Sequence, residues 1–286
     1  MTWNEKRFDR TNVVYFAVLH AGAALAPFFF SWSAVAVSVF LLWLSCSLGI
    51  GVTYHRLLTH RGYKLPKPLE YVFTVCGMLA SQGGAISWVA MHRMHHQLSD
   101  RPRKDLHTPK DGFWWSHMGW ILTHVGYDRR EIEARYAPEM VADATHRVLN
   151  RLHVFPNIIL GFVLFAWGGW SFVLWGVFLR LVVGLHATWF VNSAAHTWGY
   201  RTYDTPEGST NLWWVGLVAW GEGWHNNHHA FQRSARHGLE WWELDLNWVV
   251  IRGLAALGLA KEIQLLPDGA ERFRVDRQAT AVEPAA

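Results

Sequence analysis

Four runs of apolar residues constrain this chain more than any other feature. Residues 13–30 and 32–54 form one pair, joined by a turn that contains Pro27 and no charge; residues 154–170 and 172–196 form another, joined through the equally uncharged "WGGW". A bilayer core is about 30 Å thick and takes about 20 helical residues to cross, and within it each backbone N–H and C=O must be paired inside the structure. The chain therefore reads as an all-α integral membrane protein with four transmembrane helices in two tight hairpins. The composition agrees, with 51% hydrophobic residues, 19 Trp and only 17% charged residues, because Trp concentrates at the lipid–water boundary.

Charge gives the orientation. Lys6, Arg7 and Arg10 precede the first run, the segment from His55 to Arg151 is rich in Lys and Arg, and so is the chain after His196, whereas both hairpin turns have none. The positive-inside rule puts both termini and the long middle segment in the cytoplasm. The net charge of +4 is accounted for by an anionic cytoplasmic leaflet and calls for no nucleic acid. The stretch Leu69 to Trp88 is apolar but broken by Gly77, Gly83 and Gly84, so it reads as an interfacial or buried helix and not as a fifth span. The two cysteines, Cys46 and Cys76, lack C-x-x-C spacing, which argues against a disulfide framework and a thiolate metal site. The polar N-terminus, with both charge signs, does not resemble a cleaved signal peptide. Residues 1–267 read as one membrane domain and 268–286 as a disordered C-terminal tail.

Histidine is concentrated in four stretches: "HRLLTH" (55–60), "HRMHH" (92–96), "NSAAH" (192–196) and "HNNHH" (225–229). Positions i, i+3 and i+4 share a helix face, so each H-x-x-H-H aims three rings into one space. His55 and His60 are five apart, about 140° around an α-helix, and share a face only if the helix ends between them. The nine histidines are His55, His60, His92, His95, His96, His196, His225, His228 and His229. They exceed what one metal needs, so two metals are the economical reading, and imidazole suits Fe, Zn, Cu or Ni. His20, His107, His117, His124, His146, His153, His186 and His237 stand outside the pattern and read as ordinary core or surface residues. The fourth run, about 37 Å as a helix, outreaches the lipid core and carries Asn192 and His196 on one face above it. The four stretches converge there, and a metal pair would sit beside the acyl region. Asp100, four after His96, and Glu222, in "GEGWH", are positioned to orient ligand rings as carboxylates commonly do. Arg180, inside the fourth run, is either a functional intramembrane charge or a paired structural one.

"GVTYHRLLTHRGYKLPKPLEY", "WVAMHRMHHQLSD", "FVNSAAHTWGYRTYD" and "GEGWHNNHHAFQRSARHG" resemble the histidine boxes of membrane fatty acid desaturases. Within that family they resemble the Δ9 (stearoyl-type) subgroup, and there the bacterial and cyanobacterial acyl-lipid enzymes. The resemblance covers about residues 43 to 267. It implies an O2-dependent desaturase that puts a cis double bond, at Δ9, into a saturated acyl chain. It further implies a cytosolic helical cap holding the di-metal site, two Fe2+ ions held by the nine histidines above, a water held between metal and Asn192, and substrate-tunnel walls at Trp88 and Trp189. A separate electron donor, a ferredoxin or a cytochrome b5-like protein, is implied as well. The positions where acyl-CoA relatives carry CoA-binding groups are here Ala90-Met91, Gly83 and Lys110-Asp111, which favours an acyl-lipid substrate in the membrane over acyl-CoA. Two other readings remain: a di-iron membrane hydroxylase or oxygenase of a lipid or alkane, and a haem-binding electron carrier using His20 and His186.

Overall fold

The protein is described by a computed structural model covering residues 7–123 and 128–275, and those residues are helical with only isolated β-bridges between loops. Helix α1 (Arg10–Leu25) starts where Asp9 accepts hydrogen bonds from the Thr11 and Asn12 N–H groups, a strong N-cap. It runs out in a 3-10 turn at Pro27. Ser31 caps α2 (Trp32–Thr59). Three helical runs are long and apolar enough to cross a bilayer: Arg10–Phe29, Trp32–Thr59 and Phe155–His196. The last is interrupted. Gly168 and Gly169 leave helical geometry, Gly169 with φ 62°, a left-handed value that glycine adopts without penalty. Helix α8 is the part before this break (155–167) and α9 the part after it (170–196). Across the break a Cβ on Gly176 would meet Leu164, and Arg180 Nη2 donates to Asn157 Oδ1 at 2.8 Å, so the chain doubles back.

The sequence suggested that the helix ends between His55 and His60. Instead α2 persists to Thr59 by widening. From Trp43 onward it is a π-type helix, and the His60 N–H bonds the His55 carbonyl at 3.1 Å. The Thr53 and Thr59 hydroxyls also donate to carbonyls five residues back, Leu48 and Tyr54, both at 2.7 Å. An i to i+5 helix brings residues five apart onto one face, and the two rings stand 4.8 Å apart.

The apolar stretch 69–88 is likewise two helices, α3 (Lys67–Met78) and α4 (Ala85–Leu98). Between them Ser81 and Gly83 take φ 57° and 95°. Helix α3 lies against α2 at a point where neither has a side chain: a Cβ on Gly49 would be 2.5 Å from the Gly77 nitrogen. Arg180, buried at 1% exposure, holds this junction together. It donates to the Gly176 and Leu79 carbonyls, Ser45 Oγ and Asn157 Oδ1, at 2.6–3.0 Å, so its charge is met by neutral oxygens of four segments.

The cap comprises α4, the short helices α5 (Arg129–Tyr136), α6 (Pro138–Ala142) and α7 (Ala144–Arg151), and α10 (Trp213–Val218), α11 (His225–Ala230) and α12 (Leu246–Ala256). Past Pro267, residues 268–275 pack onto it. Ala270 is buried, Arg274 pairs with Glu240 at 2.9 Å, and the Val275 N–H bonds the Thr202 carbonyl. The remainder of the expected tail, 276–286, and His124 lie outside the described residues. Gly49→Val should wedge α2 from α3 and cost about 1–3 kcal/mol. A fall of roughly 2–10 °C in the unfolding midpoint in detergent, against an unchanged or raised midpoint for Gly253→Ala, whose Cβ meets nothing inside a helix, would be the expected result.

Candidate metal centre

Helices α2, α4, α9 and α11 deliver the nine histidines to one place. Arg93 sets the first two against each other: it projects from α4 and donates to the Leu58 and Thr59 carbonyls, at 2.8 and 3.0 Å, in the unpaired last turn of α2. Asn150 of α7 accepts from the Ile86 N–H at 3.0 Å and caps the other end of α4. On α11 the two asparagines of "HNNHH" turn away from the histidines. Asn226 accepts from the Thr202 and Tyr203 N–H groups, both at 2.8 Å, and Asn227 donates to Glu243 Oε2 at 2.9 Å. They anchor a six-residue helix too short to hold itself.

The rings fall into two groups, His55, His60, His92, His96 and His228 in one and His95, His196, His225 and His229 in the other, each with its ligand atoms within 4.8 Å of one another. Both H-x-x-H-H clusters contribute to both groups, so the clusters lie on one side of the helical bundle. Nε2 faces Nε2 at 3.1 Å for His55–His228, 3.0 Å for His92–His96 and His96–His228, 3.0 Å for His196–His225, and 3.1 Å for His225–His229. The buried His60 Nε2 has no partner.

Carboxylates stand behind the rings. Glu222 Oε2 is 2.5 Å from His55 Nδ1, Asp105 Oδ2 3.0 Å from His95 Nδ1, Asp100 Oδ2 3.0 Å from His196 Nδ1, and Glu207 Oε2 3.5 Å from His229 Nδ1. A ring that donates Nδ1–H to a carboxylate keeps its lone pair on Nε2. Two Nε2 atoms at 3 Å either share one proton as a hydrogen bond or, when both lone pairs face inward, need a cation between them. Nitrogens bound about 2.1 Å from one ion at right angles are themselves about 3 Å apart. The donor set, its spacing and the unpartnered His60 nitrogen therefore fit metal ions, with all-nitrogen ligands in both groups.

Burial by itself raises the Asp105 carboxyl; the His95 and His107 rings and the Asp100 N–H outweigh it and hold it well below the usual carboxylate range. Asp100 is held down similarly, burial being outweighed by His196, the Gly208 N–H and the Thr108 hydroxyl. Burial pushes His107 down to about 3, with His95 adding to the effect. These groups keep one protonation state at ordinary pH and lock the rings they touch. Glu222 is fixed by a fork from buried Arg56, Nε at 3.1 Å and Nη2 at 2.9 Å, and Arg56 also meets Asp245 at 2.9 Å.

The other residues singled out in the sequence fall at varied distances from this centre. Trp88 stacks on His92, 4.9 Å between centroids, and donates to Gln82, which donates in turn to Thr188 of α9 at 2.8 Å. Trp189 is buried between α1 and α9, 5.4 Å from Phe16 and 5.0 Å from His186. Asn192 is half-buried one turn before His196, and its carbonyl accepts from Ser116 Oγ. His20 Nε2 touches His186 Nε2 at 3.0 Å, which leaves no room for a porphyrin between them. Asp105, Glu207, His107 and His237 were not singled out by spacing. His237 lies 3.3 Å from Glu222 and 4.5 Å, ring to ring, from His228. Only "KDLH", a carboxylate and a histidine soon after the second box, offered a signal.

Comparison with known proteins bears on what such a centre does. The family model for fatty acid desaturases matches residues 6–264. The sn-1 stearoyl-lipid 9-desaturase of Anabaena variabilis is 48% identical over 266 residues, 92% of this chain and 97% of that protein. The sn-2 palmitoyl-lipid 9-desaturase of Nostoc sp. is 48% identical over 269 residues, covering 92% and 93%. The icosanoyl-CoA 5-desaturase of Limnanthes douglasii is 46% identical over 265 residues, covering 92% and 74%.

Removing a carboxylate behind a ring should loosen the metals without touching a ligand. Glu222→Gln is expected to lower metal affinity about 10–100-fold, read by competition with a chelator followed by elemental analysis. Unchanged retention would assign Glu222 to packing alone.

Proposed function

The chain belongs to the fatty acid desaturase family, and on that premise we propose that it introduces a cis Δ9 double bond into a saturated acyl chain carried by a membrane glycerolipid. Desaturation makes it an oxidoreductase acting on acyl chains. The observation that carries the reading is the meeting of nine imidazoles in two groups at the ends of long apolar helices. The lipid substrate is supported by the names of the cyanobacterial relatives and by Ala90-Met91 before His92, two residues that offer CoA phosphates no cation; the CoA name of the Limnanthes relative and the basic Arg101 and Arg103 keep acyl-CoA as the alternative.

We assign His55, His60, His92, His96 and His228 to one Fe2+ and His95, His196, His225 and His229 to the other, with Asn192 holding a water beside the second group. When bound, the iron pair supplies reduction of O2 and removal of hydrogen from unactivated methylenes. The protein's own part is positional. The carboxylates fix each ring's tautomer. Nitrogen ligands withstand an oxidant that would consume thiolates. Trp88, flat against His92, and Trp189 wall the path of an acyl chain whose methylenes offer no polar handle, so the length of that path selects the bond.

Four crossings, α1 with α2 and α8 with α9, fit this assignment. The two turns lie at one level, since Ser31 Oγ and Ser171 Oγ are 3.1 Å apart and Trp175 donates to the Ala26 carbonyl, and neither turn carries a charge. Helix α8, about 20 Å long, is short for the bilayer and would be met by local thinning. The charge-rich cap and both termini then lie in the cytoplasm, where a separate ferredoxin or cytochrome b5-like donor supplies electrons.

Two measurements test the proposal. Purified active protein should hold two irons per chain, and stearoyl-phospholipid in liposomes, with a reductant, should yield the Δ9 product by mass spectrometry. His92→Ala or His225→Ala should abolish it. Hydroxylated products, or desaturation of stearoyl-CoA with none of the intact lipid, would overturn the reaction or the carrier respectively.

A further inference from the structure

Between the second histidine box and Asp105 the chain makes a short exposed turn, "RPRK" (101–104), that lies outside the metal centre yet is wired to it. All four residues are exposed, while Asp100 and Asp105 on either side are buried, at 3% and 1% exposure. Each flanking carboxylate bonds a histidine of the four-ring group, Asp100 to His196 and Asp105 to His95, both at 3.0 Å. One residue therefore takes the chain from the exposed Lys104 ammonium to an oxygen hydrogen-bonded to a centre histidine. The same Asp105 oxygen also accepts from the Asp100 N–H at 3.0 Å, and the Lys104 and Asp105 N–H groups close onto the Arg101 carbonyl at 3.1 and 3.0 Å. Asp100 and Arg103 take left-handed φ values of 55° and 60°. The tip is a stapled, rigid projection.

Some cap cations are paired and others, Arg130 and Arg135 on α5 among them, have no ion pair among the described residues; the turn differs in adjoining carboxylates that bond centre histidines. Arg61, Lys64, Lys67, Arg93, Arg129 and Arg274 each pair with a carboxylate. Among the described residues no carboxylate lies within ion-pair distance of Arg101 or Lys104, and Lys110 adds a further exposed cation just beyond. The exposed charges of Arg101 and Lys104, held on a rigid turn, attract an acidic partner and speed its encounter. The carboxylates are also concentrated on this side, with Asp100, Asp105 and Glu207 around the four-ring group and Glu222 alone against the five-ring group.

We propose that the Arg101–Lys104 turn is the docking surface for an acidic one-electron carrier protein, and that electrons enter at the four-ring group through the Asp105–His95 and Asp100–His196 contacts. This rests on the desaturase reading. Two reduced carriers each give up one electron; these, with two protons and O2, take two hydrogens from adjacent methylenes, leaving one double bond and two waters. The turn supplies the contact, and the carrier is the reductant.

The test is binding, read separately from turnover. Full-length protein in nanodiscs is titrated with an oxidised acidic [2Fe–2S] ferredoxin at several salt concentrations. The wild-type Kd should rise steeply with salt, and R101E/K104E should raise it by about tenfold or more at low salt, while the control R130E/R135E on α5 leaves it within about twofold. An unchanged Kd for the turn variant, or an equal loss in the control, overturns the proposal. Single-turnover desaturation of stearoyl-phospholipid after chemical reduction by dithionite separates the two readings. The turn variant should retain it. If the variant loses it, the turn serves the acyl substrate and the docking proposal fails. If the wild type itself makes no unsaturated product, the reaction assignment fails while the Kd comparison still decides the docking surface.

Discussion

Histidine rings with Nε2 atoms only about 3 Å apart must be gathered in one place from four helices, and the architecture of this chain follows from having to hold them there. Each ring that gives its Nδ1 hydrogen to a carboxylate must present a bare Nε2 to the interior. Contacts away from the rings fix three of the four helices that carry them. Arg93 binds α4 to the last carbonyls of α2, Asn226 and Asn227 pin α11 to neighbouring loops, and Arg56 neutralises the buried Glu222 and Asp245 together. A buried carboxylate without such a cation would cost more than it contributes, since removing one partner of a buried pair leaves an uncompensated charge. The fold is thus prepared for cations before they arrive, which is the condition for a site that binds metal without rearranging.

The parts legible in the sequence are those governed by local periodicity. Apolar runs of membrane length and histidines at i, i+3 and i+4 can be read residue by residue, and both lead to the elements that carry them. Features decided by contacts distant in sequence could not be. The widening of α2 depends on threonine hydroxyls reaching carbonyls five residues back, whereas a 3.6-residue turn puts His55 and His60 about 140° apart. The split of 69–88 into α3 and α4 turns on left-handed Ser81, a residue with no preference for that geometry. Asp105 reaches His95 across a turn, not along a helix, and Glu207 comes from a loop about 20 residues before the fourth box. "HNNHH" shows its histidines by spacing, but its asparagines acquire a role only when the loops at 202–203 and 243 are beside them.

The two ring groups differ in surroundings, and the difference bears on where each half of a redox reaction belongs. The five-ring group borders Trp88 and buried Tyr54, which give it an aromatic side, and its His92 and His96 rings are only partly buried. The four-ring group is backed by three carboxylates and lies one residue from a cationic surface turn. Low polarity suits a chain of methylenes and excludes the water that would quench an oxidant. Anionic backing stabilises a more highly charged cation, and the exposed Arg101 and Lys104 nearby suit the face toward an acidic donor protein. On the proposed reading, substrate and electrons therefore approach from opposite sides, and neither has to displace the other. On that reading the centre sits at the end of α9, beyond the hydrocarbon, and a single fold borders lipid on one side and a water-borne protein on the other.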